Sequence, residues 1–93
     1  MELKQCRQRL DEIDEQIVEL LNERMKVCEK VAEAKLSRGR AVYDPDREAQ
    51  KLEAVGAMAE TPEKSVFIQA IFSKIMETSR ELQQQLIDER GSE

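Results

Sequence analysis

Histidine is absent from this chain of 93 residues, and aromatic residues make up only 3% of it. Without histidine, the chain lacks the most common general base and the most common metal ligand, so its chemistry must need neither. Few aromatic rings are present for bases to stack on, and the net charge of −5 opposes binding to a phosphate backbone. We therefore expect no metal site and no nucleic-acid partner.

Long apolar runs are also missing. None approaches the roughly 20 residues of a membrane span, and the first residues are charged rather than typical of a signal peptide. Cys6 and Cys28 fall on one predicted helix, roughly 33 Å apart, and cannot pair within the chain. We expect reduced thiols in a cytoplasmic protein that does not enter a membrane.

The residues that are present favour an all-α fold. Charged residues reach 38%, whereas only three glycines and two prolines occur. We predict one domain over residues 1–93, with helices at about 2–37, 45–59 and 62–89.

Three local signals set these helix ends. Gly39 suits a left-handed cap after the first helix. Asp44-Pro45 and Thr61-Pro62 each place a capping side chain before a proline at the first helical position.

The first helix carries an apolar seam with alternating spacings of three and four residues, as in helices that pack against other helices. The seam positions are Leu3, Cys6, Leu10, Ile13, Ile17, Leu20, Val27, Val31 and Ala34. Arg24 interrupts the seam. Burying a guanidinium costs several kcal/mol unless an anion meets it, so a carboxylate of the chain or a ligand is expected there.

The length of the first helix, about 54 Å, exceeds the roughly 30 Å diameter of a compact monomer of this size. Its far half needs a partner, and a second copy of the chain is the simplest one.

Other polar residues interrupt apolar faces. Lys35 projects within about 20° of Arg24. Ser79 and Gln83 break the third helix's inward face, which otherwise reads Ile68, Ile71, Phe72, Ile75, Met76, Leu82 and Leu86. The second helix begins with Asp44, Arg47 and Glu48, of which Arg47 and Glu48 should point partly toward the core. Its inward residues are Ala49, Leu52, Val55 and Met58 or Ala59. Together these helices would enclose a small cavity rich in cations and donors.

Each polar residue also has an ordinary explanation. Arg24 could be matched by a facing glutamate that specifies a partner, and Lys35 could extend to solvent. Ser79 and Gln83 could form a buried hydrogen bond, while Arg47 and Glu48 could pair at a helix start. A non-catalytic helical-bundle interaction protein therefore stays an alternative.

The order and spacing of this set resemble the all-helical class of chorismate mutase. The set consists of Arg7, Ile13-Asp14, Ile17-x-x-Leu20-Leu21-x-x-Arg24, Lys35, Asp44-x-x-Arg47-Glu48 and Ser79-x-x-x-Gln83. The resemblance runs from Leu3 to Ile87. It departs at Tyr43, where some relatives carry a basic residue.

The resemblance implies an intertwined homodimer of three-helix protomers that converts chorismate to prephenate without a cofactor. Arg24 and Arg7 of the partner subunit would hold the two carboxylates, with Arg47 and Ser79 nearby. Lys35 and Gln83 would donate to the ether oxygen, and Glu48 and the Asp44 backbone would hold the ring hydroxyl. A relative with pyruvate-lyase activity on isochorismate is a further alternative.

Overall fold

The computed structural model describes residues 2–91 and consists, over that range, of three helices. They are α1 (Leu3–Arg38), α2 (Pro45–Ala57) and α3 (Pro62–Gly91). The predicted all-helical fold is confirmed, and the predicted helix ends lie within two residues of these, with the starts of α2 and α3 identical. No helix within residues 2–91 combines the length and the apolar content that crossing a membrane requires.

The helix ends form through the local signals expected from the sequence. Gly39 adopts the left-handed conformation (φ 66°), and its N–H donates to the Leu36 carbonyl at 3.2 Å. The Asp44 carboxylate accepts from the Arg47 N–H at 3.1 Å, with Pro45 at the first helical position. The Thr61 hydroxyl accepts from the Lys64 N–H at 3.2 Å. These caps satisfy backbone groups that a helix leaves unpaired at its ends.

The second helix ends earlier than expected. It stops at Ala57, where the last turn tightens: the N–H groups of Met58 and Ala59 donate three positions back, to the Val55 and Gly56 carbonyls, at 3.1 and 3.3 Å. Met58, one of two candidates for an inward position, is 76% exposed, whereas the other, Ala59, is half-buried. Ala49, also expected inward, is exposed.

The central element is α3, which packs against α1 and against α2, whereas α1 and α2 do not pack on each other. The buried apolar core is small, comprising Cys28, Ala32, Val55 and Met76. The molecule is correspondingly elongated, with extents of 54 × 26 × 14 Å.

A polar clamp holds α2 against α3. The Ser65 hydroxyl donates to the Gly56 carbonyl at 2.9 Å, and the Gln69 amide donates to the Leu52 carbonyl at 3.1 Å. A β-carbon at Gly56 would lie 2.5 Å from the Gln69 Nε2 atom and 2.9 Å from the Ser65 hydroxyl oxygen, so a larger residue would displace the two side chains of the clamp. The clamp fixes the helix that begins with Asp44, Arg47 and Glu48.

The predicted seam of α1 lies beside the centre of the face that packs on α3, and only part of it contacts that helix. In the second half of the helix, the buried residues are Cys28 and Ala32, each one position beyond the seam residues Val27 and Val31. Val27 itself is 58% exposed. A spacing of 3.5 residues drifts about 20° per heptad against the 3.6 residues of a helical turn, so the two faces separate along the helix.

Two further sets of residues that were expected to be buried are exposed in the single chain. Leu3, Leu10 and Leu20 of the seam are 57–64% exposed, because α3 does not cover this part of α1. Ile71 is 57% exposed because it borders an open apolar groove between α1 and α3, beside Leu21. The seam thus stays an uncovered apolar stripe.

Candidate active site

A cavity of about 330 Å³ lies where α1, the linker, α2 and α3 meet. Its lining includes all of the predicted site residues except Arg7, namely Arg24, Lys35, Asp44, Arg47, Glu48, Ser79 and Gln83. Arg7 lies on the first turns of α1, about 25 Å along the helix from Arg24. The structure therefore brings seven of the eight residues together.

Arg24 points from α1 toward α3 and meets only neutral groups. Its guanidinium donates to the Ser79 hydroxyl and lies 3.7 Å from the Cys28 sulfur. No carboxylate within residues 2–91 pairs with it. The facing glutamate of the non-catalytic alternative is thus not found in the described chain. Because a guanidinium has five N–H donors, several stay available to an anion in the cavity.

Lys35 is held at the opposite end of the cavity by the backbone. Its ammonium group donates to the Val42 carbonyl at 2.7 Å, which ties α1 to the linker that precedes α2. An ammonium group has three donors, so this contact orients Lys35 while two donors stay available.

Gln83 is the one polar side chain of α3 that is buried, at 7% exposure. Within the described residues, its Oε1 atom has no hydrogen-bond partner. An enclosed acceptor without a partner costs about 1–3 kcal/mol. Such a cost is typical of a group kept for a role other than stability.

Both carboxylates at the start of α2 already have a partner. Asp44 caps the helix, whereas Glu48 forms an ion pair with Arg80 of α3. Arg47 lines the cavity but is exposed, contrary to the expectation that it would point partly toward the core.

Sequence reasoning missed two charged cavity residues, Arg80 and Lys51. Arg80 lies three residues before Gln83, and Lys51 lies four after Arg47. Residues three or four apart share a helix face, so each of the two lies on the same face as a site residue that was already identified. This spacing is the sequence signal from which they could have been predicted. The hydrogen bond with Glu48 raises the pKa of Arg80 above its ordinary value, so this group is charged at any working pH.

The charge of the lining contrasts with that of the chain. Five cationic side chains and two carboxylates line the cavity, while the whole chain has a net charge of −5. The cations are Arg24, Lys35, Arg47, Lys51 and Arg80. With Asp44 and Glu48 already engaged, the cavity can bind a small molecule with at least two anionic groups.

A three-helix protein with a small cationic cavity is equipped to bind and orient a small polyanion. Residues 6–84 match the family described as chorismate mutase type II. The chain belongs to this family, which confirms the resemblance identified from the sequence.

Three relatives of the chain have names that include chorismate mutase. The chain is 30% identical over 89 residues to a chorismate mutase of Methanocaldococcus jannaschii, covering 94% of this chain and 89% of that protein. It is 33% identical over 90 residues to a bifunctional chorismate mutase/prephenate dehydratase of Pseudomonas aeruginosa, covering 91% of this chain. A protein of the same name from Aquifex aeolicus is 39% identical over 54 residues, covering 58% of this chain. The matches span 25% and 15% of the two bifunctional relatives.

Proposed function

We propose that this chain is a chorismate mutase domain that catalyses the intramolecular Claisen rearrangement of chorismate to prephenate, in cytoplasmic phenylalanine and tyrosine biosynthesis. The observation that carries the proposal is the cavity in which Arg24 and Lys35 face Gln83, with no carboxylate of residues 2–91 to neutralise Arg24. The domain would comprise residues 1–93.

The reaction suits a chain without histidine. A pericyclic rearrangement of one substrate needs no nucleophile or proton shuttle. It needs a flexible dicarboxylate held in a compact chair, and planar guanidinium groups grip carboxylates in a fixed geometry. Arg24 would bind one carboxylate, with Arg47 and Ser79 near the substrate.

The transition state is stabilised by donors aimed at the ether oxygen. Negative charge grows on that oxygen as the C–O bond breaks. Lys35 and the amide of Gln83 would donate to it, and both bind the transition state more strongly than the ground state. Glu48 and the Asp44 backbone would hold the ring hydroxyl. Removing one such donor typically costs about 3 kcal/mol, or a hundredfold in rate.

The second substrate carboxylate would be bound by Arg7 of the partner subunit in a homodimer. Two observations support this arrangement. Leu3, Leu10 and Leu20 leave an apolar stripe on α1 uncovered in the single chain. Arg7 lies on the same part of the helix, about 25 Å from Arg24, and cannot reach that cavity within its own chain. A second α1 running in the opposite direction would cover the stripe and bring its Arg7 to the cavity.

A direct assay of chorismate loss and prephenate formation tests the proposal. Lys35→Ala should lower kcat by about a hundredfold with the helical content retained. Lys30→Ala is the matched control, since Lys30 is exposed on α1 and does not line the cavity. No turnover by the unmodified chain, or an unchanged rate in Lys35→Ala, would contradict the proposal.

A further inference from the structure

Arg80 joins three elements of the cavity wall, although the proposed mechanism does not use it. It lies on α3, forms an ion pair with Glu48 of α2, and its guanidinium carbon lies 4.7 Å from the centre of the Tyr43 ring in the linker. The side chains of Arg80 and Glu48 are only 32% and 21% exposed. The pair is therefore shielded from solvent more than an ordinary surface ion pair.

The ion pair uses one oxygen of Glu48 and leaves the other available. Arg80 donates to Oε1, and within residues 2–91 no donor contacts Oε2. A charge-assisted hydrogen bond fixes the direction of a carboxylate. The free oxygen of Glu48 can then accept a hydrogen bond from a hydroxyl group in the cavity.

Tyr43 and the linker hold Arg80 in turn. A guanidinium over an aromatic face is attracted to it, and the ring restricts the plane of the guanidinium. The neighbouring Val42 carbonyl accepts from Lys35 at 2.7 Å, which fixes the linker to α1. Lys35 and Glu48 are thus connected through Val42, Tyr43 and Arg80.

We propose that Arg80, resting on Tyr43, is a positioning residue that aims the free oxygen of Glu48 at the hydroxyl group of the bound substrate. This inference rests on the proposed function. Some relatives carry a basic residue at the position of Tyr43. In this chain, Arg80 of α3 supplies the positive charge at that place. Arg80 acts through Glu48 and does not contact the substrate.

The decisive measurement is the ratio of the affinities for two inhibitors that differ only in one group. The first is a cyclic ether dicarboxylate that mimics the transition state and carries the ring hydroxyl, and the second lacks that hydroxyl. The unmodified protein should bind the first at least about tenfold more tightly, because Glu48 accepts from the hydroxyl. Arg80→Met should reduce this ratio to about one, with a smaller change in affinity for the second inhibitor.

The matched control is Arg90→Met. Arg90 lies on the same helix and forms an ion pair of the same kind, with Glu33 of α1 at 2.7 Å, away from the cavity. This variant should retain the full inhibitor ratio. Arg80→Lys should restore part of the ratio, because it keeps the charge but not the planar fork. Tyr43→Leu should lower the ratio, and Tyr43→Phe should keep it.

The outcomes separate this inference from the proposed function. Equal weakening of both inhibitors in Arg80→Met would show that Arg80 binds a carboxylate or only supports the fold, and would overturn the inference alone. An unchanged ratio would do the same. If Arg80→Met does not fold, an unchanged ratio in Tyr43→Leu overturns the inference and a lowered one supports it. If the unmodified chain neither converts chorismate nor binds either inhibitor, the proposed function fails and the inference fails with it.

Discussion

The two halves of α1 have similar apolar spacing but different surroundings. In the second half, Cys28 and Ala32 are buried against α3 at 8% and 2% exposure. In the first half, Leu10 and Leu20 are 57% and 64% exposed. One half therefore contributes to a core, whereas the other contributes an uncovered surface.

The polar residues of the two halves differ in the same way. Arg24 and Lys35 meet partners from α3 and the linker and face a common cavity. Arg7 is exposed and lines no part of that cavity. The comparison teaches that a helical pattern determines which residues share a face. Whether that face forms part of a site depends on the element that packs against it. If a second copy supplies the missing partner, the two halves of α1 are two parts of one site.

The largest expected effect comes from removing one arginine from each half. Arg7→Ala and Arg24→Ala should each lower activity by a hundredfold or more, since in the proposed dimer each would remove a charged contact to a substrate carboxylate. When the two inactive variants are unfolded and refolded together, half of the dimers should be mixed. In a mixed dimer, one site carries both changes and the other carries neither, so about a quarter of all sites should be intact.

Recovery of about a quarter of the unmodified activity, measured by chorismate loss, would support a site shared between two copies. The control is the same refolding of each variant alone, which should recover nothing. If mixing restores no activity although both variants form dimers, Arg7 acts in its own chain or not at all.

The next effect tests the donor at the cavity end of α3. Gln83→Glu should reduce the rate by about a hundredfold at pH 8, because an ionised carboxylate cannot donate to the ether oxygen and repels a dianion. Burial favours the neutral form of a carboxyl group, so activity should recover as the pH falls. The pH profile of kcat checks this, with Gln85→Glu, at an exposed position of the same helix, as control. Equal activity of Gln83→Glu at pH 5 and pH 8 would refute the donor role.

Features of the fold that depend on neighbouring residues could be predicted from the sequence. Gly39, Asp44 and Thr61 act at helix ends as expected, because a cap involves residues within a few positions of each other. The shared face of Arg24 and Lys35 follows equally from helix geometry.

Features that depend on distant contacts could not be predicted in this way. Whether Glu48 pairs with Arg80 depends on how α2 folds back on α3, across 32 positions of the chain. A charged residue such as Arg80 or Lys51 has the same sequence signature on a solvated face as in a cavity. Ile71 was expected inward on its helical spacing, yet α1 crosses α3 so as to leave it in an open groove.

The smallest effect concerns the apolar stripe on the first half of α1. Ile17 lies on the seam and Val18 does not, although the two are 46% and 55% exposed in the single chain. If a second copy covers the seam, Ile17→Ala should lower the free energy of unfolding by about 2 kcal/mol or more, as at buried positions. Val18→Ala should change it by less than about 0.5 kcal/mol. Chemical denaturation at two protein concentrations checks this, because the stability of a dimer rises with concentration. Equal effects of the two substitutions, with no dependence on concentration, would mean that the stripe faces water and that the two halves of α1 do not belong to one shared site.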